Sequence, residues 1–294
     1  MNEERRLGIL ISIGVIFIGI YAMYKFYQSN IDYFQNAKHS RVIERLRPDI
    51  DTHIKSLEDT VSENRKLAAT ALGNILQQNL PERLKEKLKS TNLDELREAV
   101  KKTDGLIPDV IPSLQTTLND KNAEVRRAAA MALGKVSPTF LVLTLNRNKR
   151  GDVRQSIMEV LVELGQESIS SLTQALKELC ANSSWANSAD HDLQNQFIHS
   201  YAVNDISATL VKVGSQSISL RDNVLHAIRP GIRSENPGLV LVSTWVAIKL
   251  DPMALSCVHP LIKFHVNTEN LFDVVDSRLL LNASNDLNNF YNIQ

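Results

Sequence analysis

The stretch Val125–Val136, VRRAAAMALGKV, decides the fold. Ala128, Ala129, Ala132, Leu133 and Val136 fall at i, i+1, i+4, i+5 and i+8, one narrow apolar stripe on a helix. Small alanines let a second helix approach closely, and the leucine supplies packing bulk. Sixty-one residues earlier, NRKLAATALGNI places Leu67, Ala68, Ala71, Leu72 and Ile75 at the same offsets. Both copies carry an aspartate ahead (Asp59, Asp120), an arginine near the helix start (Arg65, Arg126) and a late glycine (Gly73, Gly134). The frame returns with Ile157, Val160, Leu161 and Leu164, then with Ile206, Thr209, Leu210 and Val213, then with Val242, Val246, Ala247 and Leu250. Five registered stripes without strand-like alternation predict an all-α repeated array.

The joints between helices also echo. Gly165-Gln-Glu-Ser-Ile-Ser and Gly214-Ser-Gln-Ser-Ile-Ser each lead into a new apolar helix. This predicts one repeated joint, in which a glycine ends one helix and a serine caps the next. The first gap has room for an additional helix pair, opened at Pro81 and capped by Thr91 with Asp94. Cys180–Asp192, CANSSWANSADHD, has no periodicity and reads as a polar loop.

The pattern Asp-x-x-x-x-Val-Arg-x-x-Ala-Ala-x-Ala-Leu-Gly, from Asp120 to Gly134, resembles HEAT repeats, particularly the short variety of phycobilisome lyase-type proteins. The copy ending at Gly73 has Asn64 where valine is usual, and the copies at 152–165, 196–214 and 239–252 depart further. Over residues 40–265 the resemblance implies an α-solenoid of stacked helix pairs with a long concave surface. It also implies that Arg126 and Arg154, the arginines after valine, tie to acidic residues of the adjacent turn, with Asp120 and Asp152 to hand.

Ahead of the array, Leu7–Tyr24 runs eighteen residues without a charge, LGILISIGVIFIGIYAMY. As a helix it reaches about 27 Å, close to the hydrocarbon thickness of a bilayer. Arg5, Arg6 and Lys25 flank it, and Tyr21, Tyr24, Phe26 and Tyr27 crowd one boundary as an aromatic belt does. Gly19-Ile20-Tyr21-Ala22 is a poor signal-cleavage site, and an all-round apolar helix in this place has little to hide behind as a core element. We read a retained anchor, with Leu7, Ile18, Tyr21 and Tyr24 in its span. Lys25, Lys38, Arg41, Arg45 and Arg47 on the far side tilt the carboxy-terminal domain toward the cytoplasm.

The expected organisation is therefore 1–30 tail and transmembrane helix, 31–180 first helical array, 181–192 polar loop, 193–266 second array, and 267–294 capping helix and tail.

Thirty-three basic against 33 acidic side chains exclude a protein driven to polyanions by bulk charge. No phosphate-binding loop, HExxH or paired CxxC is present, and two cysteines, Cys180 and Cys257, make no disulfide framework. The expectation is a non-enzyme with no cofactor, metal, nucleic acid or small-molecule substrate. Candidate contact residues are Trp185, an aromatic in the polar loop, and a basic ridge of Arg126, Arg127, Arg147, Lys149 and Arg150 able to meet an acidic partner or lipid headgroups.

The reading these features support is a membrane-anchored scaffold for a protein partner, a non-catalytic subunit of an assembly such as an envelope or secretion complex in a bacterial inner membrane. Two alternatives stand beside it. One is a lyase-like or chaperone role in chromophore attachment, which fold analogy alone suggests. The other is lipid or peptide binding in the solenoid groove.

Overall fold

The computed structural model describes residues 42, 44–80, 82–88, 90, 95, 96, 98, 106–182 and 201–251. The chain divides into two units, Met1–Asp51 and Thr52–Gln294. In the first, residues 44–51 are helical. The second contains α1 (Ser62–Asn79), α2 (Glu82–Leu88), α3 (Leu106–Thr117), α4 (Ala123–Val136), α5 (Pro138–Arg147), α6 (Gly151–Leu164), α7 (Gln166–Asn182), α8 (Tyr201–Gly214), α9 (Ile218–Ile232) and α10 (Pro237–Leu250). No strand occurs among the described residues.

Two rows of helices make the array. α1, α4, α6, α8 and α10 pack successively side by side, and these are the five helices that carry the registered stripes. Behind them α5, α7 and α9 form a second row, while α3 packs on α4 and α1. Leu72, Leu76, Leu133, Val153, Ile157, Leu161, Ile206 and Leu210 from the first row meet Leu114, Leu141, Leu145, Leu172 and Val224 from behind, all buried. Apolar area removed from water between the rows is the main stabilising term.

Local chemistry sets the helix ends. Asn122 caps α4, its side-chain oxygen accepting from the amides of Glu124 and Val125. Pro138, at the first position of α5, cannot continue α4, so one residue, Ser137, makes the corner. Gly165 ends α6 at φ +54°, a conformation that needs no Cβ.

The two echoed hexapeptides fold differently. Gly214 is still helical, and its partner serine Ser217 caps α9 by accepting from Leu220 N. Ser168 instead lies inside α7 and donates to the Gly165 carbonyl. One copy uses its glycine and the other its serine.

The first stripe is also rotated from the expected face. Leu67 is 57% exposed and Ile75 half-buried, while Ala69 and Leu76 join Ala68 and Leu72 inside. Ala69, Leu72, Gly73 and Leu76 fall at i, i+3, i+4 and i+7, the face that lays Gly73 against Ala132, and that close approach sets the rotation. Ala128 and Leu164 are likewise half-buried, whereas every stripe position named in α8 and α10 is buried.

Nor does the first gap insert a rung into the row. α1 stacks directly on α4. Thr91 and Asp94 lie outside the described residues. A Cβ on Gly73 would stand 2.7 Å from Ala132 Cβ and 2.8 Å from its Cα, so the two backbones are nearly in contact. Gly134 is different: there the neighbours are the tips of Leu164 and Leu141, at 2.7 and 2.9 Å.

Both glycines lie inside helices, where alanine is intrinsically preferred by about 1 kcal/mol. Gly73→Ala is expected to destabilise the array by about 1–3 kcal/mol, because backbone must part to admit the methyl. Gly134→Ala should cost less or nothing, since leucine tips can rotate away. Chemical denaturation of both variants checks the order.

Candidate interaction surface

Three arginines at the same point of α1, α4 and α6 do the same double task. Arg65 Nη1 donates to the carbonyls of Asp59 (2.8 Å) and Thr60 (3.1 Å). Arg126 Nη1 does so to Asp120 (2.9 Å) and Lys121 (3.2 Å), and Arg154 Nη1 to Asn148 (3.5 Å) and Lys149 (3.0 Å). Each thus satisfies the turn before its own helix, five and six residues back, where carbonyls have no helical partner.

The same guanidinium then reaches one repeat forward. Arg65 forks onto Asp120, with Nε to Oδ2 at 2.7 Å and Nη2 to Oδ1 at 2.9 Å. Arg126 lies 3.4 Å from Asp152 and bonds Ser156 Oγ with its Nε at 3.4 Å. Arg154 Nε donates to Asp205 Oδ2 at 2.7 Å, and its guanidinium lies 4.8 Å from the centre of the Tyr201 ring. The expected use of Asp120 by Arg126 and of Asp152 by Arg154 is corrected in this way. An arginine takes its own turn's carbonyls and the following repeat's carboxylate.

Charge at the rungs follows from these contacts. The hydrogen bond from Arg65 holds the Asp120 carboxyl below its ordinary range and raises Arg65, while Asp152 is lowered chiefly by Arg150 and less by Arg126. Burial instead raises Asp205, outweighing the opposing Arg154. Burial also pushes the Cys180 thiol up to about 12, so it stays a protonated core residue at neutral pH.

On the open flank of α1 and α4 the close approach at Gly73 leaves a groove of about 210 Å³. Its floor is small (Thr70, Gly73, Ala128, Ala132), with Met131 and Asn74 beside it. Long charged side chains wall it: Lys66, Arg127, Lys135, Glu124 and Glu163. Arg127 pairs with Glu163, and Lys66 with Glu63 at 3.5 Å.

The structure separates the expected ridge into three places. Arg126 is 8% exposed and belongs to the rungs, facing inward. Arg127 is a groove wall. Arg147, Lys149 and Arg150 are exposed on the turn between α5 and α6, where Arg150 pairs with Asp152 and donates to the Asn119 carbonyl at 2.8 Å.

Trp185 and the span residues Leu7, Ile18, Tyr21 and Tyr24 lie outside the described residues. Among the described residues no helix is long and apolar enough to cross a membrane, and no group of three or more His, Cys, Asp and Glu is placed to hold a metal ion. Sequence reading missed Asp205, because it sits well inside α8, whereas Asp120 and Asp152 stand just before or at the start of a helix. It missed the groove, because a floor of small residues looks the same as a packing stripe.

The HEAT repeat family model matches residues 110–140, which hold most of α3, all of α4 and the start of α5. The chain carries a HEAT-like helical array. No curated protein matches it. Among solved structures the crystal structure of an engineered protein is similar at 14% identity, over 80% of this chain and 98% of that one. Its TM-score of 0.28 is too low to bear on the fold.

Two outcomes test the HEAT-like rungs. Arg154→Met leaves the Asp205 carboxylate buried without its counter-charge and should cost about 3–5 kcal/mol, whereas Arg154→Met with Asp205→Leu should recover most of that. Urea titration of the single and double variants reads the difference.

Asp120 supplies the second test. Its folded pKa lies below the unfolded one, so its contribution is present above about pH 4 and is lost as the pH falls through the lowered value. Asp205, shifted the other way, favours the fold at low pH and loses that advantage as the pH rises. Asp120→Asn should therefore flatten the acid limb of the thermal midpoint, followed from neutral pH to about pH 2. A variant limb as steep as the parent's would place the acid sensitivity elsewhere.

Proposed function

We propose that this chain is a non-catalytic helical-repeat scaffold that binds a protein partner along the open flank of α1 and α4, tethered to a bilayer by residues 7–24. The observation that carries the partner-binding part is the groove. At about 210 Å³ it is smaller than the roughly 300–1,000 Å³ of small-molecule sites, and its walls are long and charged while its floor is small and weakly polar. That combination accepts one or two side chains of a partner segment, with backbone lying across Thr70 and Ala128. Asn74 and Thr70 offer hydrogen bonds, and Lys135 and Glu124 offer charges of opposite sign to fix orientation.

HEAT-like arrays work by such surfaces, as the extended face of a solenoid suits a protein ligand. The tether is supported by the apolar length of 7–24, its Arg and Lys flanks and its boundary tyrosines. With the basic residues at 25–47 on the inner side, the array faces the cytoplasm of a bacterial cell and serves an assembly at the inner membrane.

Crosslinking with mass spectrometry on the full chain in detergent-solubilised membranes tests the reading. A stoichiometric protein crosslinked to Lys66 or Lys135 is expected. Met131→Arg, which fills the groove, should cut that yield about ten-fold while leaving the melting curve in place. Recovery of no stoichiometric partner with the unmodified chain would sink the scaffold reading.

A further inference from the structure

The rungs do more than hold helices together, because they align the turns at one edge of the array. Arg65, Arg126 and Arg154 fix the carbonyls of Thr60, Lys121 and Lys149, which stand at one equivalent position in three successive turns. Cross-links between turns add to this. Arg65 joins the 59–61 turn to Asp120, Arg150 joins 148–150 to Asn119, and Asn148 Nδ2 donates to Asn119 Oδ1 at 3.4 Å.

Lys121, Arg147 and Lys149 are all exposed along this edge, and none has an ion-pair partner among the described residues. Asp120 is paired with Arg65, and Asp152 with Arg150 and Arg126, while Glu58 and Asp59 belong to the first turn and Glu124 follows Lys121 on α4. Three exposed cations without an ion-pair partner thus gather at the second and third turns of a chain whose total charge is zero. Apolar side chains flank it. Val61 is 53% exposed in the first turn, and Tyr201, 69% exposed, lies against Arg154 beside the Lys149 carbonyl.

We infer that this edge, with Lys121, Arg147 and Lys149 at its centre and Val61 and Tyr201 at its flanks, docks on the anionic headgroups of a bilayer. The cations are long, flexible and without a pocket between them, which suits a fluid surface of phosphates better than a shaped protein epitope. A tyrosine beside them matches the interfacial preference of that side chain. The inference rests on the tether proposed above, which brings the edge within reach of lipid, and it assigns the groove and the edge to different partners.

Energy transfer tests it. In the full chain, Gly151→Cys places a donor dye where a Cβ has open space, next to the edge. Cys180 is 1% exposed and takes no label, and Cys257→Ser removes the other thiol. The labelled chain is reconstituted into vesicles of phosphatidylcholine, with or without phosphatidylglycerol, carrying an acceptor on the headgroups. Transfer should be higher in the anionic vesicles and fall in high salt. The Lys121→Gln/Arg147→Gln/Lys149→Gln variant should bring it to the neutral-vesicle level, corresponding to a loss of edge affinity on the order of a hundred-fold, while its melting curve stays in place.

Transfer indifferent to lipid charge overturns the inference. So does a triple variant that keeps its transfer but loses the crosslinked protein partner, which would give the edge to protein. Retention of the chain in vesicles after a carbonate wash reads the tether separately. A chain that washes off refutes the tether, and the same comparison with chain added to preformed vesicles still decides the edge.

Discussion

A guanidinium that must satisfy its own turn and the next helix at once is the constraint on which this structure depends. The turns before α1, α4 and α6 hold carbonyls that no helix ladder satisfies, and leaving such a group unmet as helices close over it is costly. Arginine can meet two of them with one nitrogen and still present others to a carboxylate, because its five donors lie in a fixed planar fork. Arg65, Arg126 and Arg154 all do this. Lysine at these positions keeps the charge and loses the geometry.

Close packing and surface are then two results of one arrangement. The rungs hold α1 and α4 in register, and Gly73 against Ala132 lets their backbones nearly touch. Small residues that permit this approach also leave the outer flank low, so a groove opens exactly between the helices that pack most closely, floored by Thr70, Ala128 and Ala132. In the turns, the same arginines fix backbone and so display Lys121 and Lys149 at equivalent points. A contact that stabilises the interior thereby sets the spacing of charges outside.

Much of the array is legible in the chain itself. The five stripes identify the five helices of the first row, and Asp120–Gly134 carries the HEAT pattern inside the matched unit. A helix end written in backbone chemistry is also legible, as at Gly165. Less is visible where two sequences look alike. Gly165 and Gly214 head nearly identical hexapeptides, yet only Gly165 takes a positive φ. Arg126 and Arg127 are adjacent and equally charged, yet one lies at 8% exposure in a rung and the other walls the groove. A helix turns its neighbours about 100° apart, so adjacent residues meet different surroundings.

Periodicity and capping thus determined, from sequence alone, that these segments are helices and that they repeat, because both are local properties of a chain within one or two turns. Neighbours were decided elsewhere. That α1 rests directly on α4 across the intervening residues, that Leu67 stays outside while Leu76 goes in, and that Arg154 finds Asp205 fifty-one residues away all depend on which surfaces meet in three dimensions. Pairing of that kind is a property of two surfaces at once, and a stripe of alanines and leucines specifies its own face without naming the face it will meet.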